Sequence, residues 1–230
     1  MVTLLLTGTA ISTWLVVILL NGLIPRWMER RVGDVERSAN KNVLWRPASY
    51  TFGYWSLLYA IALVMWIGWP EDTLMKSTGG KVAFFISSVL NPLWLYLWLA
   101  DHRGAAALDL LALCASTFCV VLFEWHNSLV LVNVFGSYAT WTFGASLLNI
   151  SVLFRNVPNT MAWSSVLLLL ASGIAWYFTK QHGIGAIATL LWVTVGIFAQ
   201  SPTEYWAITA VVGGVGLGVI FTSYMIHSML

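Results

Sequence analysis

The sequence predicts an all-α polytopic transmembrane bundle of about eight spans. Composition is the first reason: 59% of the residues are hydrophobic, 9% are charged, and the mean hydropathy is +0.81. A soluble domain carries about a quarter charged residues. Second, the apolar runs are continuous rather than alternating, which selects helices over a barrel, since only closed backbone hydrogen bonding survives in lipid. Third, each run covers or nearly covers a hydrocarbon core of about 30 Å at roughly 1.5 Å per residue.

The first run, Leu4 to Ile24, has no basic segment before it and no small-residue cleavage site after it, so a retained helix is expected rather than a signal peptide. Residues 25–49 form the one sizeable polar segment. The remaining connections are short, and the helices are expected to pack as mostly antiparallel neighbours.

In the second run, Tyr50 to Trp69, Phe52, Trp55 and Tyr59 follow i, i+3, i+7 spacing and form an aromatic ladder on one helical face. The third, Lys81 to Ala100, repeats that spacing with Asn91, Trp94 and Trp98. Pro92 removes a backbone donor and frees a carbonyl one turn earlier, which favours a local opening near Asn91. The fourth, Gly104 to Phe123, contains Cys114 and Cys119 at a spacing that matches neither a redox nor a zinc motif, so both are read as packing residues. Asp109 lies about one and a half turns, roughly 8 Å, inside this run, and is expected as a solvated helix-end charge reached by water or Arg103.

The fifth run, Leu129 to Phe154, continues the pattern with Tyr138, Trp141, Ala145 and Asn149. Pro158 and Asn159 then mark a break. Thr160 to Thr179, Ile184 to Gln200 and Glu204 to Met229 are plainer and richer in small residues. Gly213, Gly214, Gly216 and Gly218 lie inside an apolar span with no preceding strand, so they point to close helix packing rather than to a nucleotide loop. That face suits a homodimer or a larger membrane complex.

Arg26, Arg30, Arg31, Arg37, Lys41, Arg46, Arg103 and Arg155 fall on one side of such a bundle, and Lys76, Lys81 and Lys180 on the other. The positive-inside rule places the 25–49 loop on the cytoplasmic side and both termini on the opposite side. Glu29, Asp34 and Glu36 dilute the basic cluster, and no nucleic-acid partner is expected.

Trp27, Trp45, Trp69, Trp125, Trp163 and Trp206 near the ends suit an interfacial belt. Trp55, Trp94 and Trp141 sit deeper, where an indole N–H finds no partner in lipid, and Asn91 and Asn149 share the problem. Either the three faces satisfy one another as interhelical glue, or they line a pocket whose occupant completes the bonding. His102, His126, His182 and His227 lie at helix ends without a second ligand at i+3 or i+4, so no metal site is visible. No nucleophile constellation suggests catalysis.

The run Arg46-Pro47-Ala48-Ser49-Tyr50-Thr51-Phe52-Gly53-Tyr54-Trp55-Ser56-Leu57-Leu58-Tyr59 resembles the first loop and second helix of the TspO, or tryptophan-rich sensory protein, family. Leu90-Asn91-Pro92-Leu93-Trp94 is similar to its third helix, and Tyr138-Ala139-Thr140-Trp141-Thr142-Phe143-Gly144-Ala145-Ser146-Leu147-Leu148-Asn149 to its fifth. The resemblance implies a five-helix core over residues 1–157, followed by three additional helices over 158–230. It further implies a pocket for a flat apolar ligand, such as a porphyrin or related tetrapyrrole, a sterol or an isoprenoid-like molecule. By the same resemblance Trp55, Tyr59, Asn91, Trp94, Tyr138, Trp141 and Asn149 line or support that pocket, and Trp45 with Pro47 belongs to its lid. The chain departs from short members in having Pro47-Ala48 where they carry a paired proline, and in its three extra spans.

A ligand-binding or sensor protein is thus the leading expectation. An accessory subunit of a larger membrane assembly is the alternative, and a transporter or an enzyme acting on the bound ligand ranks below both, because only the Pro92 break suggests a discontinuous helix.

Overall fold

A computed structural model of the chain describes residues 2–32, 34–35, 47–69, 75–153 and 184–200. Among them every regular element is helical. α1 spans Val2–Trp27, a 3-10 turn Ser49–Gly53 leads into α2 at Tyr54–Gly68, and α3 (Thr78–Leu99), α4 (Arg103–Glu124), α5 (Leu129–Leu153) and α6 (Ile184–Gln200) follow. The expected spans Thr160 to Thr179 and Glu204 to Met229, with the glycine face at 213–218 and the break at Pro158, lie outside the described residues.

Four segments, Gly8–Trp27, Ser49–Gly68, Thr78–Leu99 and Arg103–Glu124, are long and apolar enough to cross a membrane. α5 has the length, at 25 residues, but carries polar side chains along it. Ser137, Thr140, Thr142, Ser146 and Asn149 are all buried. This helix occupies the middle of the bundle and presents little surface to lipid, so its polar groups bond inside the protein, as when Thr140 donates to Gly136 and Ser146 to Thr142.

α1 packs on α2 and α3, α3 on α4, α4 on α5, and α5 returns to α2, closing a ring of five helices. α6 lies outside the ring, against α5 and the 3-10 turn. The ring has an inner and an outer face, and α1 shows how sequence assigns them. Trp14 and Val17 are buried, at the i, i+3 spacing that Asn21 continues to i+7, while Leu15, Val16 and Leu19 point outward. A bilayer supplies the apolar surroundings that those outward residues need.

The ends of the helices are held by specific bonds. At one end the Arg30 guanidinium donates to the Leu99 carbonyl, one of the orphan acceptors closing α3. Asp101 adopts a left-handed φ of 67° and turns the chain into α4. At the other end Glu124, fully buried, accepts from the backbone N–H groups of Lys76 and Ser77 at 3.1 and 2.9 Å and from the Ser77 hydroxyl at 2.6 Å. Ser77 in turn caps α3 by accepting from Gly80 N–H at 2.8 Å. A Cβ on Gly80 would overlap a carboxylate oxygen of Glu124, so the glycine permits this close approach.

Asp109 differs from the expectation of a solvated charge. It is 8% exposed, and its Oδ2 has no hydrogen-bond partner among the described residues. Arg103 does not reach toward it but pairs with Asp101 at 2.5 Å and lies over the Trp98 ring, 4.2 Å from the centroid.

Candidate functional site

The three polar-aromatic faces converge inside the five-helix ring. Period-3.6 spacing brings Trp55 of α2, Trp94 of α3 and Trp141 of α5 to one level, and their rings form a continuous cluster. Trp55 stacks on Trp94 with centroids 5.5 Å apart and planes 27° from parallel. It meets Trp141 edge to face at 5.9 Å and Tyr138 at 5.8 Å. Trp94 stacks on Trp98 at 6.2 Å, so an indole series runs from Trp55 to the cation at Arg103. Offset and edge contacts of this kind are the favoured aromatic geometries.

Beside the cluster lies a hydrogen-bond knot centred on Asn91, which is 1% exposed. Its Oδ1 accepts from Tyr59 OH at 2.8 Å and from Asn21 Nδ2 at 2.7 Å, and its Nδ2 donates to Tyr138 OH at 2.6 Å. One amide therefore joins four helices, α1, α2, α3 and α5. Trp14 adds to the same knot by donating to the Tyr59 carbonyl at 3.2 Å and packing edge-on against Tyr59 and Tyr138. Asn149 accepts from the Trp94 indole at 3.3 Å and donates to the Ala145 carbonyl.

Of the two alternatives left open by the spacing, interhelical bonding therefore describes Tyr59, Asn91, Tyr138, Trp94 and Asn149. Trp55 and Trp141 behave differently. Both indole N–H groups are buried and have no hydrogen-bond partner among the described residues. The Trp98 indole, stacked on Trp94, is likewise buried without a partner among the described residues, so three indoles of the cluster carry orphan donors, and those of Trp55 and Trp141 lie on touching rings.

Pro47 is buried just before the 3-10 turn, whereas Trp45 lies outside the described residues. The turn brings Phe52 edge-on to Trp141 at 6.1 Å, and Tyr54 follows at 5.2 Å. Thr51, wholly buried, also has a hydroxyl without a partner among the described residues.

Several contributors were not picked out from the sequence. Asn21 is an amide inside an apolar run and carries the same signal as Asn91. Trp14 sits in mid-span, and the rule that singled out Trp55 applies to it equally. On α6, Thr189, Trp192 and Gly196 repeat the i, i+3, i+7 spacing of the other ladders, obscured by the small residues among them.

The cluster is aromatic, and the Arg103 guanidinium stands at the Trp98 end of its indole series. Among the described residues no group of three His, Cys, Asp or Glu side chains is placed to hold a metal ion.

The model of a family described as TSPO-like protein matches residues 4–226, nearly the whole chain. The chain matches no curated protein and no solved structure.

Proposed function

This integral membrane protein belongs to the TSPO-like protein family, and from that premise we propose that it binds a flat apolar ligand carrying hydrogen-bond acceptors, a porphyrin or related tetrapyrrole above all. The site is the aromatic cluster of Trp55, Trp94 and Trp141. The observation that carries the reading is the pair of unpartnered indole N–H groups on Trp55 and Trp141. An unmade bond of this kind costs about 1–3 kcal/mol per group, which a ligand acceptor would return on binding. In this reading Tyr59, Asn91, Tyr138 and Asn149 support the walls, and Trp45 with Pro47 forms part of the lid.

In this reading the five-helix ring is the binding core within residues 1–157, and α6 belongs to the segment beyond it. The arginine-rich end, with Arg30 and Arg103, faces the cytoplasm, so a ligand reaches the site from that side.

Titration of the purified protein in nanodiscs with protoporphyrin IX tests the proposal. The expected result is saturable tryptophan quenching with a red-shifted Soret band, both weakened in W55F and W141F. A spectrum identical to that of the porphyrin with empty nanodiscs would reject it. Co-migration with a large complex on native gels, unaffected by those substitutions, would instead favour an accessory subunit.

A further inference from the structure

The role of α6 is not explained by a five-helix binding core. The helix packs on α5 and also reaches the 3-10 turn beside Trp141. The 3-10 turn Ser49–Gly53 presses Phe52 against Trp141 from within, and α6 holds it from the other side. Ala48 N–H donates to the Gly196 carbonyl at 2.8 Å, and the Trp192 indole donates to the Thr51 carbonyl at 3.0 Å. Tyr54, the first residue of α2, places its hydroxyl 2.6 Å from that of Thr189 and 2.9 Å from that of Ser137. Its ring stacks on Trp192 at 6.1 Å.

The contact is close-fitting as well as bonded. A Cβ on Gly196 would overlap the Thr51 hydroxyl and stand 3.0 Å from Thr51 Cβ, so only glycine lets the helix approach the turn this closely. Two backbone groups of the turn, Ala48 N–H and Thr51 C=O, thus have α6 as their partner. If α6 moved away, the turn would lose both bonds together with the ring contacts that steady Tyr54.

We propose that α6 is the latch of the ligand site: Thr189, Trp192 and Gly196 hold the 3-10 turn against Trp141, and ligand passes when that latch is released. The inference rests on the binding reading above. It assigns to the helix beyond the five-helix ring control over the rate of exchange rather than over the contacts to the ligand.

Loosening the contact from the α6 side tests it. G196A sets a methyl against the Thr51 side chain, and W192F removes the indole bond to the Thr51 carbonyl. Protoporphyrin IX association and dissociation are followed by stopped-flow tryptophan quenching in nanodiscs. G196A should exchange porphyrin about tenfold faster in both directions, because the added methyl meets Thr51 and parts α6 from the turn. W192F, which keeps a ring but loses the bond to Thr51, should exchange about fivefold faster, the factor that one hydrogen bond supplies. Exchange rates equal to those of the parent in G196A and W192F proteins that are folded by circular dichroism would overturn the latch. Absence of porphyrin binding in the unsubstituted protein would remove the site itself, and the latch with it, so the two failures are distinguishable.

Discussion

The side-chain amide of Asn91 donates to the hydroxyl of Tyr138 at 2.6 Å, tying α3 to α5 across the interior of the ring. The same amide oxygen accepts from Tyr59 and Asn21, so this one residue holds α1 and α2 as well. Interhelical bonds in membrane bundles average about 0.6 kcal/mol and reach about 1.7. N91L, which keeps the branch at Cγ, adds bulk and removes all three bonds, is expected to cost about 2–4 kcal/mol, since three buried partners lose their pairing together. N149L loses one long contact to Trp94 and should cost under about 1 kcal/mol. Unfolding in mixed micelles, followed by circular dichroism, measures both. Equal losses would mean that the knot is not centred on Asn91.

Glu124 predicts a second asymmetry, at the far end of the bundle. It is the acceptor for two backbone N–H groups and one hydroxyl at the start of α3. E124A leaves those donors without that acceptor in a buried place and is expected to cost about 2–4 kcal/mol. E124Q keeps one carbonyl oxygen and should fall between. G80A, which pushes a methyl into the carboxylate, should resemble E124A in the same unfolding assay, and an unchanged stability in G80A would contradict the packing described.

Helical periodicity made the inward faces of α2, α3 and α5 legible in sequence, because three ladders at i, i+3, i+7 leave each helix one side that lipid cannot satisfy. It did not reveal which donor pairs with which acceptor. The fate of Asn91 depends on Asn21, seventy residues earlier in the chain, and no local pattern encodes that meeting. Trp55 and Trp94 looked equivalent in sequence, yet only Trp94 finds a partner, through a difference of register against Asn149. The ladder on α6 escaped notice because threonine and glycine read as packing residues, although Gly196 serves to bring the Thr51 backbone within reach of Trp192. Distance along the helix places Asp109 near a membrane surface, whereas its burial is decided by neighbouring helices.

Asp109 supplies a stability prediction of opposite sign. A carboxylate oxygen buried without a hydrogen-bond partner costs more than a neutral group of the same shape. D109N retains the volume and removes the formal charge, and is expected to raise stability by about 1–2 kcal/mol in the micelle unfolding assay. A fall of similar size would show that the carboxylate is held by a strong interaction, and would make it a candidate for function instead.

The orphan indoles allow binding and stability to be separated. Replacing Trp55 or Trp141 by phenylalanine opens a small cavity, a loss of about 1 kcal/mol or more, but also removes a buried donor that has no partner, a gain of similar size. W55F and W141F should therefore unfold within about 1 kcal/mol of the parent. W94F opens the same cavity and breaks the bond to Asn149 as well, so it should be the least stable of the three. Affinity for protoporphyrin IX should rank the other way, with W55F and W141F weakened about fivefold to tenfold through the loss of a donor to the ligand, and W94F less affected. If W55F and W141F lose stability as W94F does while porphyrin affinity stays constant, their N–H groups are bonded within the protein, and the chemical basis for a ligand at this cluster is lost.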